Sequence, residues 1–172
     1  MTAVEAGTVA TEKETIIAGM GELHVSSSPD AILACIGLGS CIALFVYDRV
    51  ARVGGLVHIV LPKHDGGHGD NLAKYADTAV PMLIEAVVKK GAIRNRLIIK
   101  LVGGSQMTAA AGLSDTFKIG ARNLAEVIAA LEREQMRPVA ADTGGNMGRT
   151  VRMYLDTGKI IVKTVTGVAR EL

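Results

Sequence analysis

The chain has 172 residues, 49% of them hydrophobic and 21% charged, and a formal net charge of +2. That size and apolar content suit one compact domain, and the near-balanced charge provides no field for nucleic acid or an anionic membrane. Two Phe, three Tyr and no Trp leave no base-stacking surface, and two cysteines are too few for a disulfide framework. No stretch approaches the roughly 20 apolar residues of a membrane span, and the polar start has no signal-peptide run, so a soluble cytoplasmic protein is expected.

Residues 1–13 read as a flexible tail, and 14–172 as a single domain. Residues 16–25 look like a strand broken by glycine. Ser26-Ser27-Ser28-Pro29-Asp30 is a turn by composition. Two short apolar runs, 31–36 and 42–47, are joined by Gly37-Leu38-Gly39-Ser40, which reads as a tight turn between buried strands. A third strand, 53–61, ends at Pro62. Residues 63–71, with His64, Asp65, His68 and Asp70 among glycines, form a polar loop.

A helix follows, with apolar Ala76, Val80, Leu83 and Val87 spaced by four, three and four, Asp77 as a cap, Pro81 in or near the first turn and Gly91 as a stop. Residues 97–102 form a central strand ended by Gly103-Gly104, and 121–135 a second helix. After a short strand at 139–141 and a turn at 142–145, residues 151–155 and 159–165 make a hairpin across Asp156-Thr157-Gly158. About nine strands and two helices, without regular βαβ alternation, predict an α+β fold with mixed or antiparallel sheets.

Cys41 follows Gly39-Ser40 at the start of an apolar strand. It reads either as inert core or as a nucleophile. The second reading needs a base, access and a backbone donor for an oxyanion; a glycine turn frees amides at Gly39 and Ser40 for that task. His58, between Val57 and Ile59, is either a hydrogen-bonded core histidine or that base. The strands 42–47 and 53–60 are joined by a short turn and should be neighbours, which lets the thiol and imidazole meet on one face. His64 and His68 have zinc-like company, but a glycine-rich loop does not align ligands, and a solvated loop is the reading. Ser105 and Gln106 are candidates to hold a substrate amide, with a plain strand-end turn as the alternative; 142–149 reads as a structural turn. No phosphate-binding glycine motif opens a helix.

Together, Leu38-Gly39-Ser40-Cys41, Gly54-Gly55-Leu56-Val57-His58-Ile59-Val60-Leu61-Pro62, Tyr75-Ala76-Asp77, Gly103-Gly104-Ser105-Gln106-Met107, Ile119-Gly120 with Arg122-Asn123, and Asp142-Thr143-Gly144-Gly145 with Gly148-Arg149 resemble the chemoreceptor glutamine deamidases, the CheD family. The likeness runs in order from residue 16 to 165. It implies a β-sandwich flanked by helices, similar in site geometry to the cytotoxic necrotizing factor toxins. The nucleophile then falls on Cys41 and the histidine on His58. The implied substrates are glutamines on the cytoplasmic helices of methyl-accepting receptors, converted to glutamate through a thioester with release of ammonia; some members also hydrolyse receptor methyl esters. A CheC-type phosphatase is the implied partner, and a non-catalytic module tuning such a phosphatase is the alternative. No cofactor or metal is implied.

The family's threonine, six residues before the cysteine and the third catalytic member, is replaced here by Cys35. Cysteine is a weak hydrogen-bond donor and acceptor, so it would orient a histidine poorly, whereas a backbone carbonyl there would make the exchange mild. As flanks of a tight turn, Cys35 and Cys41 are also expected to be cross-strand neighbours with weak redox sensitivity.

Overall fold

The computed structural model describes residues 12–107 and 118–172. The residues described begin at 12, so most of the expected tail lies outside them. Among the described residues ten strands, β1 (Glu14–Ile17), β2 (Leu23–Ser26), β3 (Ala31–Leu38), β4 (Ile42–Asp48), β5 (Val53–Ile59), β6 (Ile98–Gly103), β7 (Ala140–Thr143), β8 (Arg149–Tyr154), β9 (Lys159–Thr164) and β10 (Ala169–Glu171), form two five-stranded sheets. The first sheet runs β1-β3-β8-β9-β10 and the second β2-β5-β4-β6-β7. Each carries one parallel pair, β1 with β3 and β6 with β7, among antiparallel ones. This is the expected α+β sandwich with mixed sheets.

The two sheets enclose one core, with Leu33, Cys35 and Leu38 from β3 meeting Ala43 and Phe45 from β4, Leu56 from β5 and Val102 from β6. Helices α1 (Ala76–Lys89) and α2 (Ile119–Arg133) cover the other face of the second sheet and make a second core. Strands β4 and β5 are therefore buried on both faces, which is why they read as unbroken apolar runs rather than alternating ones. The helix periodicity holds: Ala76, Val80, Leu83 and Val87 all point into the core. Burying Leu83 or Ile84 contributes about 1.5–3 kcal/mol each. Pro81 lies inside α1, past the first turn, and Asp77 accepts from the backbone amide of His64 at 3.0 Å instead of capping the helix.

Two expectations are corrected. Residues 16–25 are not one strand: β1 and β2 belong to different sheets, separated by a turn through Gly21 at φ +73°. Strands β3 and β4 are not a hairpin either, because β3 lies in the first sheet and β4 in the second. Gly39-Ser40-Cys41 carries the chain across the sandwich, and Cys35 pairs with Val151 rather than with any residue near Cys41. Both cysteines are free.

Candidate active site

The site lies where the chain passes from one sheet to the other. The register pairs Ala43 of β4 with His58 of β5. Cys41 precedes Ala43 by two, and side chains alternate along a strand, so Cys41 stands on the face that carries His58. Cys41 packs, with Ala43, against the core between the sheets, as does Leu56, two residues before His58 on β5. Cys41 and His58 are thus diagonal cross-strand neighbours, a relation that spans about 7–8 Å between backbones and lies within reach of long side chains. Cys41 is half-buried, while His58 is buried.

The imidazole has a defined tautomer. His58 Nδ1 lies 3.0 Å from the carbonyl oxygen of Ala18. A carbonyl only accepts, so Nδ1 carries a proton, and in the neutral ring the lone pair is then on Nε2. The backbone of His58 is held as well: its N–H donates to Glu22 O at 3.0 Å, and its carbonyl accepts from Gly21 N at 2.8 Å. The turn between β1 and β2 therefore wraps the histidine.

Cys35 reaches the same point. Its Sγ donates to Ala18 O at 3.7 Å, a long and weak contact. The group that orients His58 is thus a backbone carbonyl, and Cys35 touches that carbonyl instead of the ring. Burial pushes the Cys35 thiol up to about 12, so it is a neutral core group across the physiological range. Burial also raises the Cys41 thiol, less strongly, and the amide of Cys41 itself opposes that shift.

The Gly39-Ser40-Cys41 turn is gripped from outside by its carbonyls. Gly39 O accepts from Ser105 N at 2.9 Å, and Cys41 O from Gly104 N at 2.9 Å. Between them, Ser40 O accepts from Asn123 Nδ2 at 3.0 Å. Among the described residues, no carbonyl accepts from the amides of Gly39, Ser40 or Cys41. Gly103, at φ +119°, makes this fit possible: a Cβ there would stand 2.1 Å from Cys41 O.

Ser105 and Gln106 reach this turn in different ways from those expected. Ser105 is buried, and its hydroxyl donates to Met147 O at 2.6 Å while accepting from Arg149 Nη1 at 2.7 Å. It braces the loop, and its one donor is already spent on Met147 O. Gln106 is half-buried and its amide donates to Gly145 O at 2.8 Å, leaving its side chain as the available one. Arg149 joins Ser105 to Asp142 and Gly144, which makes the 142–149 segment structural, as expected. Sequence reasoning missed the Ala18 carbonyl, which has no side-chain signature, and gave no role to Asn123.

In the polar loop, atoms of His64, Asp65 and Asp70 lie within 4.8 Å of one another, with His68 outside the group. His64 Nδ1 accepts from Gly66 N at 3.3 Å, while Nε2 is buried 3.3 Å from Asp70 Oδ2 with no hydrogen-bond partner among the described residues.

A family model described as CheD chemotactic sensory transduction matches residues 60–164. A protein of Symbiobacterium thermophilum named "Probable chemoreceptor glutamine deamidase CheD" is 47% identical over 90% of this chain and 94% of its own length. The "Chemoreceptor glutamine deamidase CheD" of Thermotoga maritima is 42% identical over 88% and 92%, and a relative in Pyrococcus abyssi is 43% identical over 87% and 91%. The fold and the matches define a chemotaxis-linked sandwich protein. The chain belongs to the CheD family. No helix among the described residues is long and apolar enough to cross a membrane.

Proposed function

We propose that this chain is a cysteine hydrolase that converts glutamine side chains of chemoreceptors to glutamate from the cytoplasmic side. The observation that supports it most is the β4–β5 register, in which Ala43, two residues from Cys41, pairs with His58, whose Nδ1 faces the Ala18 carbonyl. The elevated Cys41 thiol starts as S–H, so His58 Nε2 takes its proton as sulfur attacks the side-chain carbonyl carbon. The S–C bond forms and the carbonyl becomes an oxyanion, which the amides of Cys41 and its turn neighbours Gly39 and Ser40 receive; a good donor there is worth about 3 kcal/mol. Collapse breaks the C–N bond, and His58 returns the proton so that ammonia leaves. Water, activated by the same nitrogen, then splits the thioester to glutamate and restores the thiol.

The half-buried Gln106 side chain is the remaining candidate to hold the substrate amide. Ile36, Met107 and Met147 are exposed near the turn, and Met107 packs on Gly39. An apolar rim of this kind suits a helical protein substrate. The same rim is where a CheC-type phosphatase would dock.

The test is incubation of the protein with a receptor cytoplasmic fragment, followed by mass spectrometry. A gain of about one mass unit per glutamine, absent in Cys41→Ala, is expected. An unmodified fragment in the presence of wild type would overturn the reading in favour of a non-catalytic module.

A further inference from the structure

Helix α2 approaches the nucleophile turn closely, because a Cβ at Gly120 would meet Gly104 O at 2.5 Å and Ser105 O at 2.8 Å. That approach brings Asn123, 0% exposed, over the turn. Its Nδ2 donates to two carbonyls, Ser40 O at 3.0 Å and Val60 O at 2.9 Å. Two acceptors fix the amide's orientation, since a flipped amide would set oxygen against oxygen. One atom therefore ties the residue before Cys41 to a residue just beyond His58.

We infer that Asn123 is a positioning residue for the nucleophile: by holding the Ser40 carbonyl it turns the Cys41 N–H toward the place where the oxyanion forms, an inference that rests on Cys41 acting as proposed above. The chain has no cis peptide among the described residues. In a trans peptide the C=O and the following N–H point in opposite directions, so fixing Ser40 O on the helix side aims Cys41 N–H away from it. A carbonyl that accepts a bond also polarises its peptide, which strengthens the N–H at the other end. That N–H finds no carbonyl among the described residues and acts on its own sulfur, opposing the effect of burial. The side chain is poorly explained as core filler, because its Oδ1 is buried with no partner among the described residues, and an orphan acceptor works against stability.

The experiment follows two readouts on Asn123→Ala and Asn123→Gln. The first is iodoacetamide alkylation of Cys41 against pH, resolved from the buried Cys35 by peptide mass. The second is steady-state deamidation of the receptor fragment. Asn123→Ala is expected to raise the alkylation midpoint by about one pH unit. It is also expected to lower kcat about 10–100-fold with KM changed less than about threefold. Asn123→Gln keeps both donors and recovers part of each. An unshifted alkylation profile and unchanged kcat in a folded Asn123→Ala, with only Tm lowered, would overturn the inference. Should Asn123→Ala not fold, Asn123→Ser decides on the same profile. Alkylation needs no receptor. A wild type that leaves glutamine intact while the variant's profile shifts therefore removes the substrate reading and keeps Asn123 in its role.

Discussion

The two ends of β4 solve the same problem in opposite ways. At its far end, Asp48 is 0% exposed, and its carboxylate accepts from the amides of Val50, Ala51 and Ile93 and from Arg96 at 2.8 Å. Burial alone would raise its pKa, but Arg96 and the three amides outweigh that and hold the carboxyl well below the usual range. The Val50 and Ala51 amides of that turn are both answered by the Asp48 carboxylate. At the near end the pattern inverts: Gly39, Ser40 and Cys41 have their carbonyls held and their amides left without carbonyl partners among the described residues. A turn that only connects strands satisfies its N–H groups internally, and a turn prepared to meet an oxyanion keeps them in reserve.

Substitutions at the two ends should therefore separate activity from stability. The largest effect is expected for Cys41→Ala, which lowers deamidation about 10³-fold or more while Tm stays level or rises, since a half-buried thiol is lost without an unpaired partner. A Cys41→Ala protein that still deamidates the receptor fragment would break the contrast at once. His58→Gln should lose about 10²–10⁴-fold in kcat, measured on the same fragment.

Asp48→Ala is the mirror case. It leaves Arg96 and three amides unanswered, so a loss of about 3 kcal/mol in urea unfolding is expected, with kcat per folded molecule unchanged. The depressed carboxyl contributes stability that is complete above about pH 4 and lost as pH falls through its folded value. Wild type should therefore lose more stability below about pH 4 than Asp48→Asn does. The smallest effect belongs to Cys35. Its thiol, raised to about 12, contributes stability present below the ordinary thiol value and lost as pH climbs from about 8.5 toward 12. Cys35→Thr should remove that alkaline loss and change kcat by less than about threefold, because the carbonyl that orients His58 belongs to Ala18.

Much of this organisation is legible in the residues. The four-three-four spacing places α1, Asp156-Thr157-Gly158 places the final hairpin, and the short link between β4 and β5 puts His58 next to the strand of Cys41. The crossing between sheets is not legible, since β3 and β4 are buried on both faces over most of their length and carry no alternation to say which sheet they join. The Ala18 carbonyl leaves no trace in residue type. Asn123 lies on an amphipathic helix, where a polar residue ordinarily marks the solvent side; here it shares the buried stripe of Gly120, Val127, Ala130 and Leu131. Ser105 reads as a free hydroxyl after two glycines, and nothing nearby in sequence announces that Arg149 will claim it.

Two links carry the chain from the first sheet to the second, one through Ala18 and one through Cys41, and the thiol, the ring and its tether all sit on that seam. Chemistry there is a gauge of alignment. If one layer slides on the other by a fraction of a residue, the thiol and ring lose their line of approach while each sheet keeps its own ladder. Mild denaturant should thus silence the protein before circular dichroism records any loss of strand.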